Sequence, residues 1–174
     1  MDIKTPNGRS KLHIDGDLRG ADLSGKQLSG VDLQNADLRG TNLSGANLAG
    51  ADFSHADLRG ANLTNANLEG ARFDEANAQG AQLAGADLYW ASLWKTSLAG
   101  ADLSFASLRG SNMTQANLRA VNLCNANLGR DNLGGATILN GADLTDASVV
   151  GAIFDGAEYD EDTRLPNGLS LERE

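Results

Sequence analysis

From Leu18 onward an apolar side chain recurs at every fifth position: Leu18, Leu23, Leu28, Leu33, Leu38, Leu43, Leu48, Phe53, Leu58 and so on to Ile138. One residue is then added near "ILNGA", and the series resumes at Leu144, Val149, Phe154 and Tyr159. Two positions before each sits a small residue, as at Ala36, Ala46, Ala51, Ala56 and Ala61, with Asp or Asn between. A period of five fits neither the helical 3.6 nor an unbroken strand, but residues two apart share a face of an extended segment. The small residue and the leucine therefore point together, and the Asp or Asn points away. The two remaining residues must turn the chain. The second of them is often glycine (Gly20, Gly25, Gly30, Gly40) or asparagine, the residues that best accept the positive φ of a type II turn. Short sides joined by corners predict a solenoid lined by Leu and Ala.

The number of sides follows from what recurs every twenty residues. One set of corners avoids glycine: Asn35, His55, Glu75, Lys95 and Gln115. The same units carry the bulky centres Phe53, Phe73 and Met113, with Phe154 aligned to them once the added residue is subtracted. An arginine column recurs at Arg19, Arg39, Arg59 and Arg119. Columns at twenty predict four sides of five, whereas a coil of fifteen would scatter all three.

The A-(D/N)-L-x-x units over residues 16–160 closely resemble the pentapeptide-repeat family. The resemblance implies an all-β fold, a right-handed quadrilateral β-helix of about seven coils stacked at strand-pairing distance. At about 4.8 Å per coil this is a rod of roughly 34 Å. Residues 1–15, including "KLHID", are expected to cap the start, and Lys26 to reach toward the open mouth. Residues 161–174 are expected to form a polar C-terminal tail. Ala61→Leu is expected to overpack the narrow interior. "GRDNLGGATILNG" breaks the pattern by placing Asp131 where alanine belongs, which predicts a bulge that keeps its carboxylate out of the apolar interior.

Composition narrows the function. The 174 residues include 23 acidic and 14 basic side chains, a formal charge of -9. That balance disfavours direct nucleic-acid binding, which needs clustered Lys and Arg. No apolar run is long enough for a membrane span, and the single cysteine, Cys124, fits a reducing, cytoplasmic location. His13 and His55 lack partners at metal-ligand spacing, and Cys124 lacks a neighbouring histidine. The outward Asp and Arg residues, as in Asp17 with Arg19, Asp37 with Arg39 and Asp57 with Arg59, are expected to be solvated ion pairs. No catalytic residue, cofactor or metal is expected, and the chain is read as non-enzymatic.

"DLYWASLWK" concentrates rings in a chain with few of them. With Leu88 and Leu93 inward, Tyr89, Trp90 and Trp94 face out, Phe105 starts the third side of the next coil, and Arg109 stacks over Tyr89. These five residues are the candidate interaction surface, for a protein partner or for weak self-association of a monomer. The resemblance supports a scaffold or regulatory role, since many family members, abundant in cyanobacteria, lack an assigned activity and some regulate through protein contacts. The alternative it suggests is the quinolone-resistance branch, which imitates DNA and engages DNA gyrase. The arginine column interrupts the acidic wall that such imitation needs, and "TRLPNGLSLERE" is short and polar where that branch carries an apolar dimerising element.

Overall fold

The structure, a computed structural model, describes residues 18–170. The proposed cap over residues 1–15 and Asp17 therefore lie outside the described residues. From Asp22 to Ser107 every unit contributes one residue to a parallel bridge with the residue twenty further on, as in Asp22–Asn42, Asn42–Asn62 and Asn62–Gln82. Two backbone bonds flank each bridge: Leu23 N–H donates to Asn42 O at 2.7 Å and Asn42 N–H to Ala21 O at 2.9 Å. A third closes the corner, with Ala21 N–H donating to Leu18 O at 3.0 Å. The backbone polar groups of each side are thus satisfied mainly by the coils above and below, which is what permits sides this short. Following the centre residues up one wall gives Leu18, Leu38, Leu58, Ala78, Leu98, Leu118, Leu144 and Leu165, seven revolutions of four sides.

The interior is a set of stacked apolar columns. Leucine centres such as Leu28, Leu43, Leu63 and Leu108 are fully buried, and Phe53 stacks on Phe73 at 4.7 Å. Each buried leucine contributes about 1.5–3 kcal/mol. Inward threonines keep their hydroxyls satisfied: Thr41 donates to Leu18 O at 2.6 Å and Thr96 to Phe73 O at 2.7 Å. Lys26, although at an inward position, is exposed in the first described coil.

The second residue of the unit has a role beyond facing water. Its Oδ1 accepts the backbone N–H two residues on, as in Asp22 with Ser24 (3.1 Å), Asn62 with Thr64 (3.0 Å) and Asp102 with Ser104 (3.0 Å). Asp and Asn alone have the short carbonyl or carboxylate arm this bond requires, so the polar position of the repeat is a turn-forming device. The arginine column pairs as expected: Arg39 with Asp37 at 2.7 Å and Arg59 with Asp57 at 2.6 Å, with Arg39 also 3.6 Å from Asp57 one coil on. The hydrogen bonds from Arg39 and Arg59 hold Asp37 and Asp57 below the usual carboxylate range. Being exposed, these pairs add little to stability.

The interruption differs from the sequence expectation. Asn112 bridges to Ile138, twenty-six residues on in place of twenty, so six residues are added rather than one. They form a loop at 131–136. Leu133, expected inside, is 79% exposed; Ile138, expected as a centre, is a bridge residue; and Leu139 is the buried centre. Phe154 consequently stands over Leu128, not in the column of Phe53, Phe73 and Met113. Thr137, the first inward residue after the loop, donates to Leu108 O at 2.9 Å. The ladder continues past residue 160, where the sequence reading ends the repeat, because Arg164 bridges to Asp143 and Leu165 packs against the core.

Candidate interaction surface

The second corner residue of most units has positive φ, 56° at Trp90 and 60° at Phe105, with Arg130 before the loop an exception. A side chain there leans over the corresponding corner of the next coil. Asn65 lies over Gly85, Gln115 over Gly141, Asn125 over Gly151 and Arg130 over Gly156. Trp90 follows the same rule: its indole covers Gly110, where an added Cβ would sit 2.6 Å from Nε1.

From Gly110 the indole reaches the loop. Its Nε1–H donates to Asp131 Oδ2, while Asp131 Oδ1 accepts the backbone amides of Leu133 and Gly135, each at 2.7 Å. The Trp90 bond, with these amides, holds the Asp131 carboxyl below the ordinary carboxylate range. Asp131 is nearly buried at this corner and takes no place among the leucines. Tyr89 stacks on Trp90 at 5.4 Å, Arg109 lies 5.6 Å over the Tyr89 ring, and Arg109 also donates to Asn132 at 3.2 Å. Three of the five candidates, Tyr89, Trp90 and Arg109, thus form one cluster that braces the loop.

The other two stand apart. Trp94 occupies the next corner, with the Lys95 ammonium 4.3 Å over its ring. Phe105 lies at the preceding corner, one coil on, and is 68% exposed. The corner above it is Asn125, whose Cβ fills the place that glycine leaves open above Trp90.

Three surface residues were missed by sequence reasoning: Leu133, Val150 and Ile153, which are 79%, 74% and 50% exposed. Leu133 sits at a position that a five-residue period cannot distinguish from a buried centre unless the loop length is known, whereas Val150 and Ile153 stand at outward positions beside the centres Val149 and Phe154. Together with Trp90 and Phe105 they share one location. Asp87, Ser107, Asn127 and Ile153 run up the third wall as successive bridge partners. Phe105 and Val150 border that wall on one edge, and Trp90 and the loop carrying Leu133 border it on the other. In the N-terminal half the same wall presents Gln27, Asn47 and Asn67.

Little else offers chemistry. His55 faces Glu75 at 3.8 Å on an outer corner, and Cys124 Sγ lies 3.1 Å from Ser148 Oγ. Among the described residues no group of three or more His, Cys, Asp or Glu side chains is placed to hold a metal ion, and no helix is long and apolar enough to cross a membrane.

The family model for pentapeptide repeats matches residues 27–65, 51–88, 86–125, 95–135 and 116–158. The chain belongs to the pentapeptide-repeat family. Its fold is the right-handed quadrilateral β-helix of that family. Among solved structures, a trypsin-treated form of QnrB1, a plasmid-mediated fluoroquinolone resistance protein, is 20% identical over 86% of this chain and 87% of its own, with a TM-score of 0.51. HetL, a pentapeptide repeat protein involved in heterocyst differentiation regulation from Nostoc sp. strain PCC 7120, is 29% identical over 85% of each chain, with a TM-score of 0.47. Rfr23, from Cyanothece 51142, is 34% identical over 60% of this chain and 63% of its own, with a TM-score of 0.39. No curated protein matches the chain.

Proposed function

We propose that this pentapeptide-repeat protein is a non-enzymatic binding rod that engages a protein partner through the third wall of its C-terminal half. One observation carries this reading. Every large apolar side chain that is well exposed among the described residues, namely Trp90, Phe105, Leu133, Val150 and Ile153, stands on that wall or its two edges. Scattered exposed apolar residues need no explanation, but their confinement to one of four walls does. The polar stretch of the same wall at Gln27, Asn47 and Asn67 shows that the repeat itself does not demand apolar residues there. Aromatic and aliphatic anchors on a polar frame match the composition of protein interfaces.

The test is affinity capture with a Phe105→Ser, Val150→Ser, Ile153→Ser variant beside a Gln27→Ser, Asn47→Ser, Asn67→Ser control. The apolar-wall variant is expected to lose its captured protein while keeping the parent melting temperature; equal capture by both would overturn the reading. Supercoiling by purified DNA gyrase, the readout of the alternative role, is expected to be unaffected by the protein, since Arg39 and Arg59 neutralise the first wall's carboxylates.

A further inference from the structure

We propose that Asp131 sets the register of the last coils, selecting one of two windings that this sequence encodes. The looped-out residues 131–135, "DNLGG", are themselves a repeat unit: Asn132 fits the bridge position, Leu133 the centre, and Gly134 and Gly135 the corner. Only the first residue departs, with Asp in place of the small inward residue. In the observed winding the unit is expelled, and Leu139 takes the place above Met113. In the other winding the unit stays in the coil and the chain downstream shifts by one wall. Leu133 then stands above Met113, Ile138 above Leu118, Leu144 above Leu123 and Val149 above Leu128. Every inward position of that winding is occupied by an apolar or small residue except one.

The exception is Asp131, which would face the interior directly above Ser111. The Ser111 hydroxyl is already buried without a partner, and a carboxylate placed there would be desolvated with no counter-charge facing it. Expulsion gives the carboxylate the amides of Leu133 and Gly135 and the Trp90 indole, and Thr137 takes the inward place. The observed winding leaves Leu133 exposed and Ile138 at a bridge position, gaining only Leu139 inside. The apolar side chains alone favour insertion, and the charge opposes it.

The register has a consequence for the third wall, which rests on the proposed function. Insertion would bury Leu133 and turn Ile153 onto the fourth wall, so Asp131 acts as a positioning residue that assembles the apolar surface.

Cys124 reports the register without any partner protein. In the observed winding Ser148 Oγ is 3.1 Å from Cys124 Sγ, whereas Thr145 lies over Arg119 at a different corner. After a shift of one wall, Thr145 would stand over Cys124 and Ser148 would move away. Ser148→Cys and Thr145→Cys are each combined with native Cys124, oxidised, and followed by free-thiol titration and peptide mass spectrometry. With Asp131 present, Ser148→Cys is expected to lose both free thiols to an intrachain disulfide and Thr145→Cys to keep them. In Asp131→Ala, and in Asp131→Ser, whose hydroxyl matches the residue below it, the two reporters are expected to exchange behaviour. Unchanged closure of Ser148→Cys in both Asp131 variants overturns the proposal. Unfolding of both variants also overturns it, because the inserted winding is held to be at least as well packed. A moved disulfide without any change in partner capture would leave the register assignment standing and count against the binding reading alone.

Discussion

Trp90 and Phe105 occupy equivalent positions at neighbouring corners, with φ of 56° and 60°, yet one lies down and the other stands up. Above Trp90 the next corner is Gly110, so the indole lies flat along the rod and reaches Asp131. Above Phe105 the next corner is Asn125, and the ring is left 68% exposed. The difference lies twenty residues away from each ring. On this scaffold the fate of a surface aromatic is decided by whether its upper neighbour has a Cβ.

The strongest way to break that comparison is to give the upper neighbour of Trp90 a Cβ. Gly110→Ala and Gly100→Ala impose the same left-handed strain, about 1–2 kcal/mol, at the same φ of 67°. Only Gly110→Ala must also displace the indole, since nothing lies within 4 Å of a Cβ built on Gly100. We expect a total loss of about 2–4 kcal/mol for Gly110→Ala in urea unfolding. Equal losses for the two variants would refute the role assigned to the covering ring.

The converse change sharpens it. In a Phe105→Trp background, Asn125→Gly should let the new ring fold down, and its fluorescence should shift to shorter wavelength than with Asn125 retained. A smaller effect is expected from Trp90→Phe, which keeps a ring over Gly110 but removes the N–H given to Asp131. Trypsin cleavage after Arg130 should then accelerate with little change in global stability. The same variant carries a pH signature. Asp131 is held below its ordinary range, so its contribution is present above about pH 4 and lost as the pH falls through the lowered folded-state value. Trp90→Phe removes the largest cause of that shift, and its urea midpoint should fall less between pH 6 and pH 3 than that of the parent. The smallest effect is expected at the standing ring: Phe105→Ser should change stability by no more than about 0.5 kcal/mol.

Much of this architecture was legible from residue types. The period of five, the twenty-residue columns and the inward Leu and Ala all follow from which side chains tolerate burial, and the stacking of Arg109 over Tyr89 follows from register. The place of the bulge and the exclusion of the Asp131 carboxylate were legible, but the length of the loop was not, because adding six residues to a five-residue period leaves the same phase as adding one. Leu133 satisfies the motif as well as Leu128 does, and only the Asp131 carboxylate marks the unit as unfit for the interior. The role of Asp and Asn was hidden for another reason: an outward polar side chain looks merely solvated until the amide of the residue two further on is seen to point at it. The lie of Trp90 was written at Gly110, outside any window centred on the aromatic cluster.

A threonine follows each of two irregular stretches, the loop at 131–136 and the one-residue insertion that lets Arg164 bridge to Asp143 twenty-one residues away. In an unbroken coil a corner amide is received by a backbone oxygen of the next revolution, as Gly100 N–H is by Arg119 O at 2.9 Å. Where the chain wanders off, that oxygen is missing. Thr137 Oγ1 accepts Gly110 N–H at 3.1 Å after the loop, and Thr163 Oγ1 at 3.2 Å shares Gly141 N–H with Asp160 Oδ1 at 2.8 Å after the second irregularity. A hydroxyl at the point of re-entry thus works as a splice. Foreign segments grafted between coils of this rod should be accommodated best when the first residue back inside is threonine, and valine in place of Thr137 would leave the Gly110 amide orphaned at the joint.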